Sequence, residues 1–454
     1  MTRLACFKSY DVRGKVGPDM DADLFRRIGM AFAQVLGAKT VVTGRDVRDS
    51  SPELQAAVNE GLVAMGVDVI DLGLCGTEEV YFGTDHFKAD GGMMITASHN
   101  PKGDNGIKMV REGSKPISWE TGLGQVHDLA VAGAFEPAAT PGTVRADNPR
   151  AAYVERVLSF IDVSALKPMK VLVNAGNGAA GPTFDAIADE LAARGAPLEF
   201  IRHHHTPDED FPNGIPNPLL PENQPKTAEP VLEHGADMGV AWDGDFDRCF
   251  FFDAKGAFIP GEYIVGLLAK ALLQRMPGAS IVHDPRVQWN TQKVVAEAGG
   301  KAVVSRTGHA LIKATMREVD AAYGGEMSAH HYFRDFMYCD SGMIPWVLIA
   351  DLMSSTGQTL EALVAEMKAD FPSSGEINFR IADTDKAFAD VAAAFAPDAL
   401  SFDDLDGLSY AYADWRMNLR KSNTEPVVRL NVETRGDTAL LDQKVAEIKG
   451  VLGV

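Results

Sequence analysis

Short apolar runs that alternate with amphipathic stretches constrain this chain more than any other feature. Val41-Val42-Thr43 reads as a strand, and Ser51-Pro52-Glu53-Leu54 opens a helix with proline at an early position. Val67-Asp68-Val69-Ile70 is the next strand, Glu78–His86 the next helix, and Gly91-Gly92-Met93-Met94-Ile95 a buried strand. Repeated strand–helix–strand units imply a parallel, doubly wound sheet, because a parallel pair needs a crossover long enough to hold a helix. The pattern restarts at Val171-Leu172-Val173 and again with a helix at Gly261–Gln274, followed by strands at Ser280–His283 and Ala302–Ser305. The last segment differs in texture. Ile377/Phe379/Ile381, Trp415/Met417/Leu419 and Val428/Leu430/Val432 alternate, with helices near Asp385–Phe395 and Thr438–Leu452. The expected fold is three similar α/β domains with mixed, largely parallel sheets, plus a smaller C-terminal α+β domain. Their expected bounds are 1–145, 146–255, 256–370 and 371–454, with 138–150 reading as a linker.

Chemistry-bearing residues gather where strands end, which is where open parallel sheets bind ligands. Thr96-Ala97-Ser98-His99-Asn100-Pro101 follows the Gly91–Ile95 run, and Pro101 argues for a loop. It lacks the G-x-S-x-G turn of serine hydrolases. Side chains of neighbouring residues diverge, so Ser98 and His99 are not expected to pair as nucleophile and base. Gly44-Arg45-Asp46-Val47-Arg48-Asp49-Ser50 suits an anion site or a helix cap, and the cap is favoured. Gly176-Asn177-Gly178-Ala179-Ala180-Gly181 matches G-x-G-x-x-G after a strand, with Glu199 a possible ribose ligand. Arg202 and His203-His204-His205 follow Glu199 closely, so a tight turn is favoured over a dinucleotide site, and a solvated histidine loop over a metal site.

Asp243-Gly244-Asp245-Phe246-Asp247-Arg248 follows the strand Met238–Trp242. Asp is depleted in strands, so three alternating Asp suggest a loop that gathers oxygens. An EF-hand fails, because Arg248 stands at the position of its glycine and Ala254 at that of its glutamate. Three carboxylates with open positions fit Mg²⁺ shared with a phosphate. Further on, Glu326, Ser328 and His330 alternate, so they could face one way and grip adjacent sugar hydroxyls, and the same loop is equally compatible with a packing turn. Arg420-Lys421-Ser422-Asn423-Thr424 lies between two strands and offers donors suited to a phosphate.

A net charge of −20 opposes nonspecific binding to nucleic acid or anionic lipid, so an anionic substrate would need arginines and lysines concentrated in a pocket. No run approaches the roughly 20 apolar residues of a membrane span. The N-terminus carries no apolar signal core, and the four scattered cysteines suit reduced thiols. The expected setting is cytoplasmic, with no nucleic-acid or membrane partner and a monomer or homodimer as the assembly.

Taken together and in this order, the serine, aspartate, Gly325-Glu326-Met327-Ser328-Ala329-His330 and Arg420–Thr424 loops resemble those of the α-D-phosphohexomutase superfamily over the whole chain. The resemblance implies four domains around a central cleft, with Ser98 as a phosphoserine. Asp243, Asp245 and Asp247 would hold Mg²⁺ with an oxygen of the Ser98 phosphate, and Arg13, Lys108, Arg248 and His99 would join the catalytic centre. Arg286, His309, Glu326, Ser328 and His330 would read the sugar. Arg420, Ser422, Asn423, Thr424 and Arg429 would hold the phosphate that is not reacting. Met327 follows Glu326 as in mannose- and glucose-directed members, and Arg286 stands where dual-specificity members often carry lysine.

The implied reaction interconverts hexose 6-phosphate and hexose 1-phosphate through hexose 1,6-bisphosphate, with the mannose phosphates expected first and glucose or glucosamine phosphates as alternatives. It needs a donor, a charge-neutralising metal and basic groups around an in-line transfer. A metal-dependent sugar phosphatase would use the same acidic loop and release free phosphate. A binding protein would show binding without turnover.

Overall fold

The computed structural model describes residues 4–421 and 427–454. The chain divides into two units, Met1–Phe258 with His330–Gly357, and Ile259–Ala329 with Gln358–Val454.

The first unit opens with a sheet ordered Asp11–Lys15, Asp104–Arg111, Gly91–Ile95, Thr40–Arg45, Asp68–Leu74 and Val144–Ala146. The last four run parallel, and the first two are antiparallel to their neighbours. Successive side chains of a strand point to opposite faces, and the two cores here divide accordingly. Val41, Val69 and Met93 join one core with the helices Ala22–Leu36, Ser51–Ala64 and Gly124–Ala132. Val42, Ile70 and Met94 join another with Val80 of the helix Thr77–His86. That division is the doubly wound arrangement expected from the pattern. Its packing is tight enough that truncating a core residue such as Ile107 to alanine should cost about 2–5 kcal/mol. The stretch read as a linker is only partly one, since Val144–Ala146 pairs with Val69–Asp71 and the next helix starts at Arg150.

A second sheet in this unit pairs Cys249–Asp253 antiparallel with Met238–Trp242, which runs parallel to Met169–Asn174, itself parallel to Leu198–His203. The G-x-G-x-x-G stretch is the turn between Met169–Asn174 and the helix Ala180–Ala193. A Cβ on Gly178 would lie 2.8 Å from the Gly244 carbonyl oxygen, so this glycine admits the backbone of the aspartate loop rather than a dinucleotide. The hairpin His331–Phe333/Cys339–Asp340 and the buried helix Met343–Thr356 complete the unit. Glu78, fully buried, accepts from the N–H groups of Gly342 and Met343 and so caps that helix.

The second unit holds a parallel set, Lys301–Val304, Ser280–His283 and Tyr323–Gly325, with the helices Gly261–Arg275, Trp289–Glu297 and His309–Glu318. Its C-terminal part is an antiparallel sheet ordered Ile377–Arg380, Val427–Thr434, Trp415–Lys421, Leu408–Ala411 and Ser401–Asp403. Helices Thr384–Phe395 and Thr438–Leu452 pack on it. Among the described residues, no helix is long and apolar enough to cross a membrane.

Candidate active site

The strand Gly91–Ile95 is buried throughout, and the chain leaves it into the serine loop. Ser98 sits at φ 50°, in the left-handed region that a residue with a Cβ enters at a cost of roughly 1–3 kcal/mol. Arg48, 3% exposed, holds the loop in place. Its Nη2 donates to the carbonyls of Ser98 and Asn100, at 3.0 and 2.6 Å, and its Nη1 to those of Pro101 and Asp104, at 2.9 and 3.0 Å. Asp46 pairs with Arg48 at 3.3 Å and accepts from the Ser51 hydroxyl. The Gly44–Ser50 loop is therefore the mount of the serine loop, not the helix cap expected of it. Ser50 stands at the cap position, but its side chain makes no cap bond.

Ser98 Oγ donates to Asp243 Oδ2 at 2.6 Å. A Cβ on Gly244 would lie 2.4 Å from the Ser98 carbonyl oxygen, so only glycine lets the two loops come this close. Arg248 donates to the same Asp243 oxygen through Nε, at 2.9 Å, and Nη2, at 2.7 Å. Lys108 Nζ bridges Asp245 Oδ2 at 2.7 Å and Asp247 Oδ2 at 2.5 Å, and the Thr77 hydroxyl donates to Asp245 at 2.6 Å. Arg13 reaches Asn100 Oδ1 at 3.0 Å and Asp11 at 3.0 Å.

Contrary to the expectation from sequence, Ser98 Oγ and His99 Nδ1 are 2.9 Å apart. The left-handed Ser98 backbone brings the neighbouring side chains together. The pair is still no nucleophile–base couple, because the single lone pair of Nδ1 also meets Arg248 Nη2. Burial and the Arg248 charge pull the His99 imidazole down to about 4.

Ligand-capable oxygens of Asp243, Asp245 and Asp247 lie within 4.8 Å of one another. Burial raises the cost of every charge here. Arg248 and His99 outweigh it at Asp243, which is held well below the usual carboxylate range. At Asp247, burial and Asp245 push the carboxyl up to about 6. Burial works against the Lys108 ammonium too, but Asp245 and Asp247 prevail and raise it. The residues fit a divalent cation by a direct test. Among the described residues, Asp245 Oδ1 and Asp247 Oδ1 are buried acceptors without a hydrogen bond, an arrangement costly unless a cation completes it.

Glu326, Ser328 and His330 do not alternate along one strand. Residues 327–328 form a turn, and Ala329 sits at φ 69° with its N–H donated to the Glu326 carbonyl. His330 belongs to the first unit, where its Nδ1 lies 3.0 Å from Asp340 Oδ2. Burial disfavours its charge, but Asp247 and Asp340 outweigh that and raise its pKa.

Glu326 and Ser328 belong to the second unit and meet Arg286, at 3.6 and 3.4 Å. Arg286 is forked by Asp284 at 3.0 and 2.8 Å. Arg416 donates to the carbonyls of Pro285 and Arg286, which fastens this loop to the C-terminal sheet. His309 opens the helix His309–Glu318 beside Gly308, whose N–H reaches Glu326 at 3.0 Å. Arg420 and Arg429 sit opposite each other on paired strands, and both meet Glu376, at 2.7 and 3.3 Å. Ser422, Asn423 and Thr424 lie outside the described residues.

Sequence reasoning missed Arg48, Asp46, Thr77, Asp340 and Glu376. Only Arg48 and Asp46 gave a signal, as charges in a loop after a strand, and the helix-cap reading favoured for that loop did not point to the serine loop as the partner.

The chain matches four family models: phosphoglucomutase/phosphomannomutase α/β/α domain I over residues 5–123, domain II over 151–256, domain III over 260–371, and the C-terminal domain over 376–451. It is 57% identical over 454 residues to a phosphomannomutase of Salmonella montevideo, covering 100% of both chains. A protein named phosphohexose mutases from Xanthomonas campestris pv. campestris is 55% identical over 452 residues, with 99% of each covered. A crystal structure of a phosphoglucomutase/phosphomannomutase family protein from Burkholderia thailandensis superposes with a TM-score of 0.87 at 32% identity, covering 99% of this chain and 98% of that one. Full-length identity of this order, with all four domain models in sequence, means that the chain belongs to the phosphoglucomutase/phosphomannomutase family.

Proposed function

We propose that the chain is a phosphomannomutase, moving a phosphoryl group between O6 and O1 of mannose through a phosphoserine at Ser98 and a hexose 1,6-bisphosphate intermediate. The observation that carries this reading is the Ser98 hydroxyl, held in strained backbone 2.6 Å from Asp243 and beside two buried carboxylate oxygens that have no hydrogen bond among the described residues. The identity of the chain to the Salmonella phosphomannomutase favours mannose.

In this account phosphoserine 98 donates to the free sugar hydroxyl. The bond from phosphorus to Ser98 Oγ breaks as one to the sugar oxygen forms, and the proton lost by the sugar hydroxyl ends on Ser98 Oγ, which leaves as a free hydroxyl. Reversing the sugar in the site returns its other phosphate to Ser98. Lys108, Arg248 and Arg13 balance charge around the transferring group, and Arg48 keeps Oγ on its line. Asp243, Asp245 and Asp247 would hold Mg²⁺ with a phosphate oxygen; such a cation neutralises charge on the phosphoryl group as it moves. Glu326, Ser328, His330, His309 and Arg286 contact the sugar, and Arg420 with Ser422, Asn423, Thr424 and Arg429 holds the distal phosphate. The medium is cytoplasmic, and exclusion of water suppresses hydrolysis.

A coupled assay with mannose 1-phosphate, glucose 1-phosphate and glucosamine 1-phosphate, run beside a free-phosphate assay, tests this reading. It predicts isomerised mannose phosphate as the fastest product and little free phosphate. Stoichiometric phosphate release without isomerisation would replace it with a phosphatase.

A further inference from the structure

Three guanidinium groups of the second unit share one carboxylate. Glu376 Oε2 lies 2.7 Å from Arg420 Nη2 and 3.4 Å from Arg286 Nη1, and Oε1 lies 3.3 Å from Arg429 Nη1. The Glu376 backbone is fixed, since Ile377–Arg380 pairs with Val427–Leu430 and Ser374 is bonded to Val432. Its side chain is 20% exposed, and among the described residues its carboxylate meets these arginines alone. The arginines have other anchors. Asp284 forks Arg286, and Arg420 is 5% exposed in a sheet strand.

One donor of the fork lacks an acceptor. Arg420 Nε is buried without a hydrogen bond among the described residues, and burial together with Arg286 lowers its pKa. A phosphate monoester brings a double charge and three terminal oxygens, where the carboxylate brings one charge and two. Arginine forks match either anion in the plane, so the two are competitors for one place.

We propose that Glu376 is the resident occupant of the distal-phosphate subsite. Its carboxylate fills the arginine fork while sugar phosphate is absent and swings toward solvent when phosphate arrives. Glu376 thereby sets the affinity for the phosphate group and hastens its release. The inference rests on reading the Arg420 loop as the phosphate site. Its arithmetic is that of a partly closed site, in which measured affinity is the intrinsic affinity scaled by the fraction of molecules with the fork open.

A fixed Glu376 that merely orients Arg420 predicts the opposite sign, so two variants decide. Glu376→Gln removes the charge at constant length, and Glu376→Asp withdraws it by one methylene. For both, KM for mannose 1-phosphate and the competitive Ki of inorganic phosphate should fall by roughly three- to tenfold, with kcat falling less than KM. A rise in KM and Ki, or values equal to the parent's in both variants, would overturn the proposal. Arg420→Ala is measured alongside. If it leaves KM and Ki unchanged, the phosphate-site reading itself fails. If it raises both while neither Glu376 variant lowers them, only the role of Glu376 is lost.

Discussion

The two clusters of this chain are built with opposite signs. Around Ser98, three buried carboxylates crowd together, and the Lys108 ammonium is shared between Asp245 and Asp247. Around Glu376, one carboxylate is shared among three guanidinium groups. The first arrangement suits a cation and a strained hydroxyl, the elements of group transfer. The second suits an anion held by geometry. The proposed function assigns chemistry and phosphate grip to separate units, so loss of one should read in kcat and loss of the other in KM.

Asp245→Asn should break the first half most severely. It removes one charge with little change of volume, so turnover should fall about a hundredfold or more, as when one preorganised electrostatic group is lost. The Mg²⁺ concentration for half-maximal rate should rise, and exhaustive chelation should abolish turnover in the parent. A variant with the parent's rate and metal requirement would show that this cluster is structural.

Arg48→Met sharpens the comparison by attacking the mount rather than the cluster. It leaves Asp46 buried without its partner and four loop carbonyls without their donor, so stability in urea should drop by about 3–5 kcal/mol. The residual folded protein should turn over slowly with a near-parental KM. A stable, active Arg48→Met would mean that the serine loop holds its own shape.

The smallest of these effects belongs to the grip. Each hydrogen bond to a charged group contributes about 1.5–3 kcal/mol, so Arg420→Ala should raise KM by roughly ten- to a hundredfold. Its kcat should fall less, because the distal phosphate helps to position the reacting hydroxyl. If kcat alone fell, the division between chemistry and grip would be wrong.

How much of this was legible follows from where partners lie in the chain. The alternation of apolar runs revealed the doubly wound sheets because Val41 and Val42, or Met93 and Met94, point to different cores. The acidic loop was legible because its ligands fall within five residues. Thr77 was not, since its partner Asp245 lies 168 residues away, and neither was Glu376, 44 residues from Arg420. The expected divergence of Ser98 and His99 failed on a backbone angle that no residue type announces. The alternation from Glu326 to His330 failed at Ala329 for the same reason.

The central claim is that Ser98 carries the phosphoryl group. Intact-mass measurement and peptide mapping, after incubation with a hexose 1,6-bisphosphate, test it most directly. The account predicts one added phosphate on the peptide containing Ser98, and none on Ser98→Ala, which still binds hexose phosphate but has lost mutase activity. Phosphate found only on another peptide, together with a fully active Ser98→Ala, would contradict it.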